Sequence, residues 1–289
     1  MTVAEFIFLA LFWAWIVSAL LFLRNTILPR LPLAGEPIQL GLQAETVRFH
    51  ATDGVSLEGW KIPGDPAKPW IILCHGMGSN RSDLLEIAAG LHRAGFNLFL
   101  FDFRGHGGSA GRVTSFGWLE QRDLEGALAF LGQQPDIPAR PYGIYGISMG
   151  AAVALCVAGR DERVGAVAAD SPYANLEDSL GRHMRLMYPV PRVPFEWFIL
   201  ATYRLRFGVW PEQVSPVRAA GALGGRPLLL IQGAEDHRMP VADAQTIAAA
   251  AGPSGELWVI GGAGHLEGFS LDPARFLAKL SRFFVSSIR

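Results

Sequence analysis

Covalent attack on a carbonyl needs a nucleophile, a base and an acid, and this chain of 289 residues offers all three at the ends of apolar runs. Gly146-Ile147-Ser148-Met149-Gly150 follows one such run and opens an alanine-rich stretch. Glycine on both sides lets a chain turn sharply from strand to helix, which lifts the serine out of the sheet and aims the positive end of the following helix at a developing oxyanion. A serine hydroxyl is a weak nucleophile at neutral pH, so a base must take its proton and a buried acid must hold that base. Asp236 and His265 follow the later apolar runs at 227–232 and 256–260. Glu235 and Glu267 are competing acids, and His237 is a competing base. His75 and His106 sit in glycine-rich turns and read as hydrogen-bonders that fix loops.

Other chemistries find little support. There is no H-E-x-x-H, paired-histidine or cysteine cluster for a metal, and Gly105-His106-Gly107-Gly108 lacks the lysine of a phosphate loop, so neither metal nor cofactor is expected. Cys74 and Cys156 lie in apolar contexts without ligand spacing and read as reduced core residues. The formal net charge of −1 and pI near 6.7 give no overall electrostatic case for nucleic acid as a partner.

The elements that must position these residues alternate in type. Runs at 46–50 and 57–62 read as a leading hairpin, followed by strands at 70–74, 97–101, 142–147, 164–169, 227–232 and 256–260. Helical patterns at 84–94, 118–133, 151–158, 241–251 and 273–284 fall between and after them. Repeated β-α units require a mostly parallel, doubly wound sheet with helices on both faces, an α/β fold. The rhythm breaks after Asp170 and resumes near residue 227, so a cap insertion is expected over about 172–225.

From residue 45 to the C-terminus the chain resembles the α/β-hydrolase-fold serine hydrolases. The likeness rests on the elbow at Ser148, on His75-Gly76-Met77-Gly78, on Asp102-Phe103-Arg104-Gly105-His106-Gly107-Gly108-Ser109, on Asp170-Ser171-Pro172, and on the chain order Ser148, Asp236, His265. It implies Ser148 as nucleophile, His265 as base and Asp236 as acid, since Gly233, Asp236 and Pro240 fit the family spacing. Backbone N–H groups of Met77 and Met149 then form the oxyanion hole, and the two thioethers are candidates to line the acyl side of the pocket. The implied reaction is hydrolysis of a carboxylic ester, lipid or thioester substrates included, through an acyl-enzyme. Peptide or amide hydrolysis uses the same triad, and a non-catalytic membrane-tethered binding module is the reading from outside enzymology. A dehalogenase needs Asp in place of Ser148.

Two further regions bear on where such chemistry happens. Residues 6–23 run without a charge and as a helix reach about 27 Å, nearly the roughly 30 Å of a bilayer's hydrocarbon core. Residues 1–24 are therefore expected to be a retained transmembrane helix; a cleaved signal would want a basic start, and residues 1–5 hold neither Lys nor Arg. Glu5 before the run and Arg24 and Arg30 after it place the catalytic domain on the cytoplasmic side of the membrane. Residues 25–44, with Pro29, Pro32 and Pro37, read as a stiff spacer to a domain at 45–289. Within the cap, Arg182, Arg185, Arg192, Arg204 and Arg206 face one acid, Glu196, among Met184, Leu186, Met187, Tyr188, Phe195, Trp197, Phe198 and Phe207. Such a mixture suits an acyl chain below and an anionic surface above.

Overall fold

The computed structural model describes residues 2–27, 29–138, 141–187 and 191–288. Tyr188 and the Met187 side chain, counted above among the apolar groups of the cap, lie outside the described residues, as do Met1 and Arg289. The strands are β1 Glu45–His50, β2 Ser56–Ile62, β3 Trp70–Cys74, β4 Asn97–Phe101, β5 Tyr142–Ile147, β6 Val164–Asp170, β7 Leu228–Gly233 and β8 Gly255–Ile260. They form one eight-stranded sheet in the order β1-β2-β4-β3-β5-β6-β7-β8. Only β1 with β2 and β2 with β4 pair antiparallel; the other pairs are parallel. This is the α/β-hydrolase fold that the alternating runs predict.

The helices are α1 Val3–Asn25, α2 Leu85–Arg93, α3 Glu120–Gly132, α4 Met149–Ala158, α5 Leu176–Met187, α6 Arg192–Phe207, α7 Pro216–Gly221, α8 Val241–Ala251, α9 Gly268–Leu271 and α10 Pro273–Ser287. β3, β4, β5 and β7 are buried along their whole length, as strands covered on both faces must be. One core cluster joins Ile72, Phe99 and Phe101 to α3 and α4. Another joins Ile71, Leu98 and Leu100 to α2 and α10 on the opposite face. α4 is apolar all round and buried at every residue, so the helix that begins at the elbow sits in the densest part of the molecule.

Between β6 and β7 the expected irregular cap is largely helical. α5 and α6 pack on each other, while α7 returns to the body, where Ala219 meets Gly159 at the end of α4. The proline-bearing segment before β1, read as a stiff spacer, is bonded to the body of the domain. Arg30 donates to the carbonyls of Gly107 and Gly111, Asn80 donates to those of Leu31 and Pro32, and Leu42 is buried in the core. Nor does α1 stand apart, because Trp15 Nε1 donates to Thr202 Oγ1 of α6 at 3.3 Å.

Candidate active site

The elbow follows from close approach. A Cβ on Gly146 would lie 2.5 Å from the Gly150 carbonyl oxygen, and one on Gly150 would lie 2.3 Å from that of Cys74, so no larger residue fits either place. Ser148 between them takes φ 50° and ψ −117°, a strained conformation of the kind found at functional sites. It is held there by its N–H bond to the Asp170 carbonyl (2.8 Å) and by the start of α4 immediately after it.

Loops after β7 and β8 bring the other two residues to the same edge of the sheet. Ser148 Oγ lies 3.2 Å from His265 Nε2, and His265 Nδ1 lies 2.7 Å from Asp236 Oδ2. The Asp236 bond fixes the tautomer: Nδ1 carries the proton, and Nε2 is left to accept the serine's. Asp236 Oδ1 accepts the N–H groups of Arg238 (2.9 Å) and Met239 (2.8 Å). Burial pushes the Asp236 carboxyl up, but the bonds from His265, Met239 and Arg238 outweigh it and hold the group below its ordinary value. Of the rivals, Glu235 and His237 point to solvent, and Glu267 accepts the Gly264 N–H, closing the turn that carries His265.

The loop after β3 runs beside Ser148; a Cβ on Gly76 would stand 3.5 Å from the Cβ of Ser148. Two neutral imidazoles brace it, as their glycine-rich setting predicts. His106 accepts the Gly78 N–H at Nε2 and donates from Nδ1 to the Arg104 carbonyl. His75 accepts the Phe103 N–H and donates to the Gly76 carbonyl. Burial drops the His75 pKa to about 3, so it stays neutral. Further support comes from Arg81, which is bonded to Asp102 and to Glu58 (2.7 Å) and lies over the Trp60 ring.

A cavity of about 210 Å³ opens beside Ser148 and His265, lined by Met77, Met149, Phe116, Ile147, Tyr173, Leu176, Leu180, Met239 and Leu266, with His183, Arg238 and Asp83 among its other polar groups. Met77 and Met149, named from the sequence, are among the residues that line it. Burial, then the charges of Arg238 and His265, hold His183 below its ordinary pKa.

Several residues of this site gave no sequence signal. Residues 114–117 wrap the fully buried Glu120 carboxylate, which accepts from Thr114, Ser115 and Gly117, and the turn puts Phe116 into the cavity wall at φ 59°. Tyr173 and Tyr203 donate to the Phe116 and Ser115 carbonyls, Phe22 of α1 packs its ring against Phe116, and the Thr114 N–H bonds the Thr26 carbonyl. Gln232 donates to Asp236 Oδ2 (3.1 Å) from the end of β7; a polar residue closing the run Leu-Leu-Leu-Ile-Gln-Gly was its one available sign. Asp170, already part of the Asp170-Ser171-Pro172 motif, ends β6 behind Ser148, His265 and Asp236 and accepts from Tyr145 (3.2 Å) and Ser171 (2.9 Å); burial pushes its carboxyl up to about 6 against those two bonds.

In the cap, Arg182 pairs with Asp243 (3.0 Å). Arg185 and Arg192 both pair with Glu196, which is buried beneath them. Arg204 and Arg206 stay exposed. The two cysteines are free and buried, with burial raising both thiols, that of Cys156 to about 12.

This geometry has relatives. The uncharacterized protein Rv2307c of Mycobacterium tuberculosis is 30% identical over 239 residues, which cover 81% of this chain and 77% of that one. YfhR of Escherichia coli strain K12 is 30% identical over 234 residues, 78% of this chain and 75% of its own. Among solved structures, an esterase of Pyrococcus furiosus superposes with a TM-score of 0.75 at 27% identity, covering 91% of this chain and 100% of the other. Residues 65–209, which hold the elbow, the loop after β3 and the first cap helices, match the family described as Serine aminopeptidase, S33, and the chain belongs to that family of α/β-hydrolases.

Proposed function

We propose that this protein hydrolyses carboxylic esters through an acyl-enzyme on Ser148. The observation that carries the reading is the hydrogen-bonded line from Ser148 through His265 to Asp236 at the edge of an apolar cavity. Ser148 Oγ attacks the carbonyl carbon as its proton passes to His265 Nε2, and Asp236 steadies the imidazolium. The N–H groups of Met77 and Met149 receive the oxyanion. Collapse expels the alcohol, protonated by His265, and water, activated by the same imidazole, then releases the acid and restores Ser148. The cavity is small against the roughly 300–1,000 Å³ of sites that enclose drug-sized ligands, which suits an acyl group held inside with the alcohol portion outside. A fluorophosphonate probe should label Ser148, and p-nitrophenyl esters should give a burst that Ser148→Ala removes; full turnover in that variant overturns the reading.

Amide or peptide hydrolysis is the second reading, favoured by the description of the matching family. Against it, the cavity wall is mostly apolar, and its one cation, Arg238, is matched by its one carboxylate, Asp83, while His183 is held neutral, which leaves no surplus negative charge to hold a cationic amino terminus. Parallel assays on aryl esters, acyl thioesters and aminoacyl amides separate these outcomes.

Residues 1–24 are read as a membrane anchor retained on the mature protein, with the hydrolase domain at 45–289 on the cytoplasmic side. Supporting this, α1 is 23 residues long with a mean hydropathy of 2.6 in its most apolar window, and its Phe22 is buried in the cluster that backs the cavity. A cleaved signal has no such folding partner. Intact mass of the membrane fraction tests retention: loss of the first two dozen residues overturns it.

A further inference from the structure

α1 meets the cap half-way along its own length. Trp15, about 18 Å from the first residue of the helix, bonds Thr202 of α6, and one helical repeat of contacts later Phe22 meets Tyr203 of the same helix at 6.1 Å. Apolar side chains are exposed on α1 both before this junction (Phe6, Phe8, Trp13) and beyond its start (Val17, Leu20). A hydrocarbon layer that covers α1 from Phe6 through Leu20 therefore also covers the place where α6 docks.

The outer surface of the cap is built for that position. Val193, Trp197 and Leu205 of α6 are 63%, 71% and 72% exposed, and Leu186 of α5 adds to them. A tryptophan so exposed has no protein to pack on. Between Arg192 and Arg204 the only charged residue is Glu196, which is buried and paired with Arg185 and Arg192. Arg192 at one end of α6 and Arg204 and Arg206 at the other remain exposed. Trp197 lies between the two cationic ends, and Val193 and Leu205 stand directly beside arginines, so exposed apolar groups alternate with cations along this surface, as suits contact with a bilayer in which the arginines reach lipid phosphates.

We propose that α1 and the cap helix α6 form one continuous lipid-facing surface, whose occupant is the leaflet of a bilayer carrying anionic headgroups. The proposal rests on the retained-anchor reading of α1 and adds that the cap itself is immersed. α5, packed on α6, supplies Leu176, Leu180 and His183 to the cavity, so the acyl site lies one helix away from the lipid and substrates enter from the leaflet.

The test uses the full chain reconstituted in phosphatidylcholine vesicles containing phosphatidylglycerol, with the environment-sensitive fluorophore NBD on Trp197→Cys, on Leu205→Cys or on Ser286→Cys. The native cysteines are buried, and the unsubstituted chain measures any labelling of them. Ser286 is exposed near the C-terminal end of α10, where Ile288 packs beside the start of β5 at the far edge of the sheet from Ser148. The expected result is blue-shifted emission at positions 197 and 205, quenched several-fold more strongly by nitroxide-bearing lipid than at 286, with the quenching reduced in pure phosphatidylcholine. If the protein floats with the vesicles while position 197 behaves like 286, the immersed cap is overturned and the anchor stands. If the protein does not float at all, the anchor reading falls as well. Equal quenching with and without anionic lipid overturns the role given to the arginines.

Discussion

The ring of Phe22, on the amino-terminal helix, sits 5.8 Å from that of Phe116, and Phe116 forms part of the wall of the cavity beside Ser148. A helix that composition alone suggests as an anchor is thus packed against the wall of that cavity. Phe22→Ala removes a side chain that is 5% exposed and should cost about 3–5 kcal/mol. It should also raise KM for longer acyl esters more than for acetate esters, because the wall behind Phe116 is undercut. Chemical unfolding and a series of p-nitrophenyl esters check the two effects; unchanged chain-length preference would detach α1 from the site.

The triad makes a separable prediction. Ser148→Ala and Asp236→Asn should each lower ester turnover by about 10⁴-fold or more, with the double variant little worse than the single ones, since residues acting as a unit are not additive. Gln232→Leu, which removes a donor to Asp236 while keeping the strand apolar, should cost far less, about tenfold in kcat with KM unchanged. Its Nε2 also donates to the Met239 carbonyl at 2.7 Å, so losing both bonds should lower stability by about 1–3 kcal/mol. Steady-state kinetics on one aryl ester checks the four variants, and denaturant unfolding checks the stability of Gln232→Leu.

Gly150→Ala tests the elbow as geometry. The new methyl meets the Cys74 and His75 carbonyls at 2.3 and 2.5 Å, and backbone on both sides leaves little room to yield. A destabilisation of about 1–3 kcal/mol is expected, together with loss of fluorophosphonate labelling. Labelling at the normal rate would mean that the turn tolerates a side chain and that its strain is not needed to present the serine.

Asp170 predicts a pH effect of definite sign. Its carboxyl is raised by burial from 3.8 to about 6, so as pH falls the folded protein takes up this proton before the unfolded chain does. The group therefore favours the folded state most below about pH 4, and that contribution is lost as pH rises towards 6, on the order of 2–3 kcal/mol in all. Asp170→Asn should remove the slope: the stability difference between variant and parent, read by denaturant unfolding from pH 4 to 7, should move in the variant's favour as pH rises. A constant difference would show that Asp170 titrates normally.

The sheet, the elbow and the chain order of the three site residues were legible because each leaves a local mark. Buried parallel strands are short apolar runs, and the glycines flanking Ser148 are dictated by backbone contacts within a few residues or with the neighbouring strand. Phe116 and Glu120 left no such mark, because a turn folded around a buried carboxylate looks in sequence like any polar loop. α1 hid its partner for a different reason: a helix apolar on every side has no stripe to show which face meets protein. The proline-rich stretch from Pro29 to Pro37 read as a spacer because its anchoring bonds come from Asn80, Gly107 and Gly111, far along the chain.

Those same bonds carry a mechanical consequence. A protein on a flexible leash tumbles above its membrane and meets substrate at all angles. Here Arg30, Leu31 and Pro32 are pinned to loops of the body, and Thr26 at the end of α1 is bonded to Thr114, so helix and domain turn as one piece. With α1 held in a bilayer, as proposed, the mouth of the cavity would keep one bearing relative to it. Molecules diffusing in two dimensions would reach it by sliding sideways, and water-borne esters would have to approach around the rim.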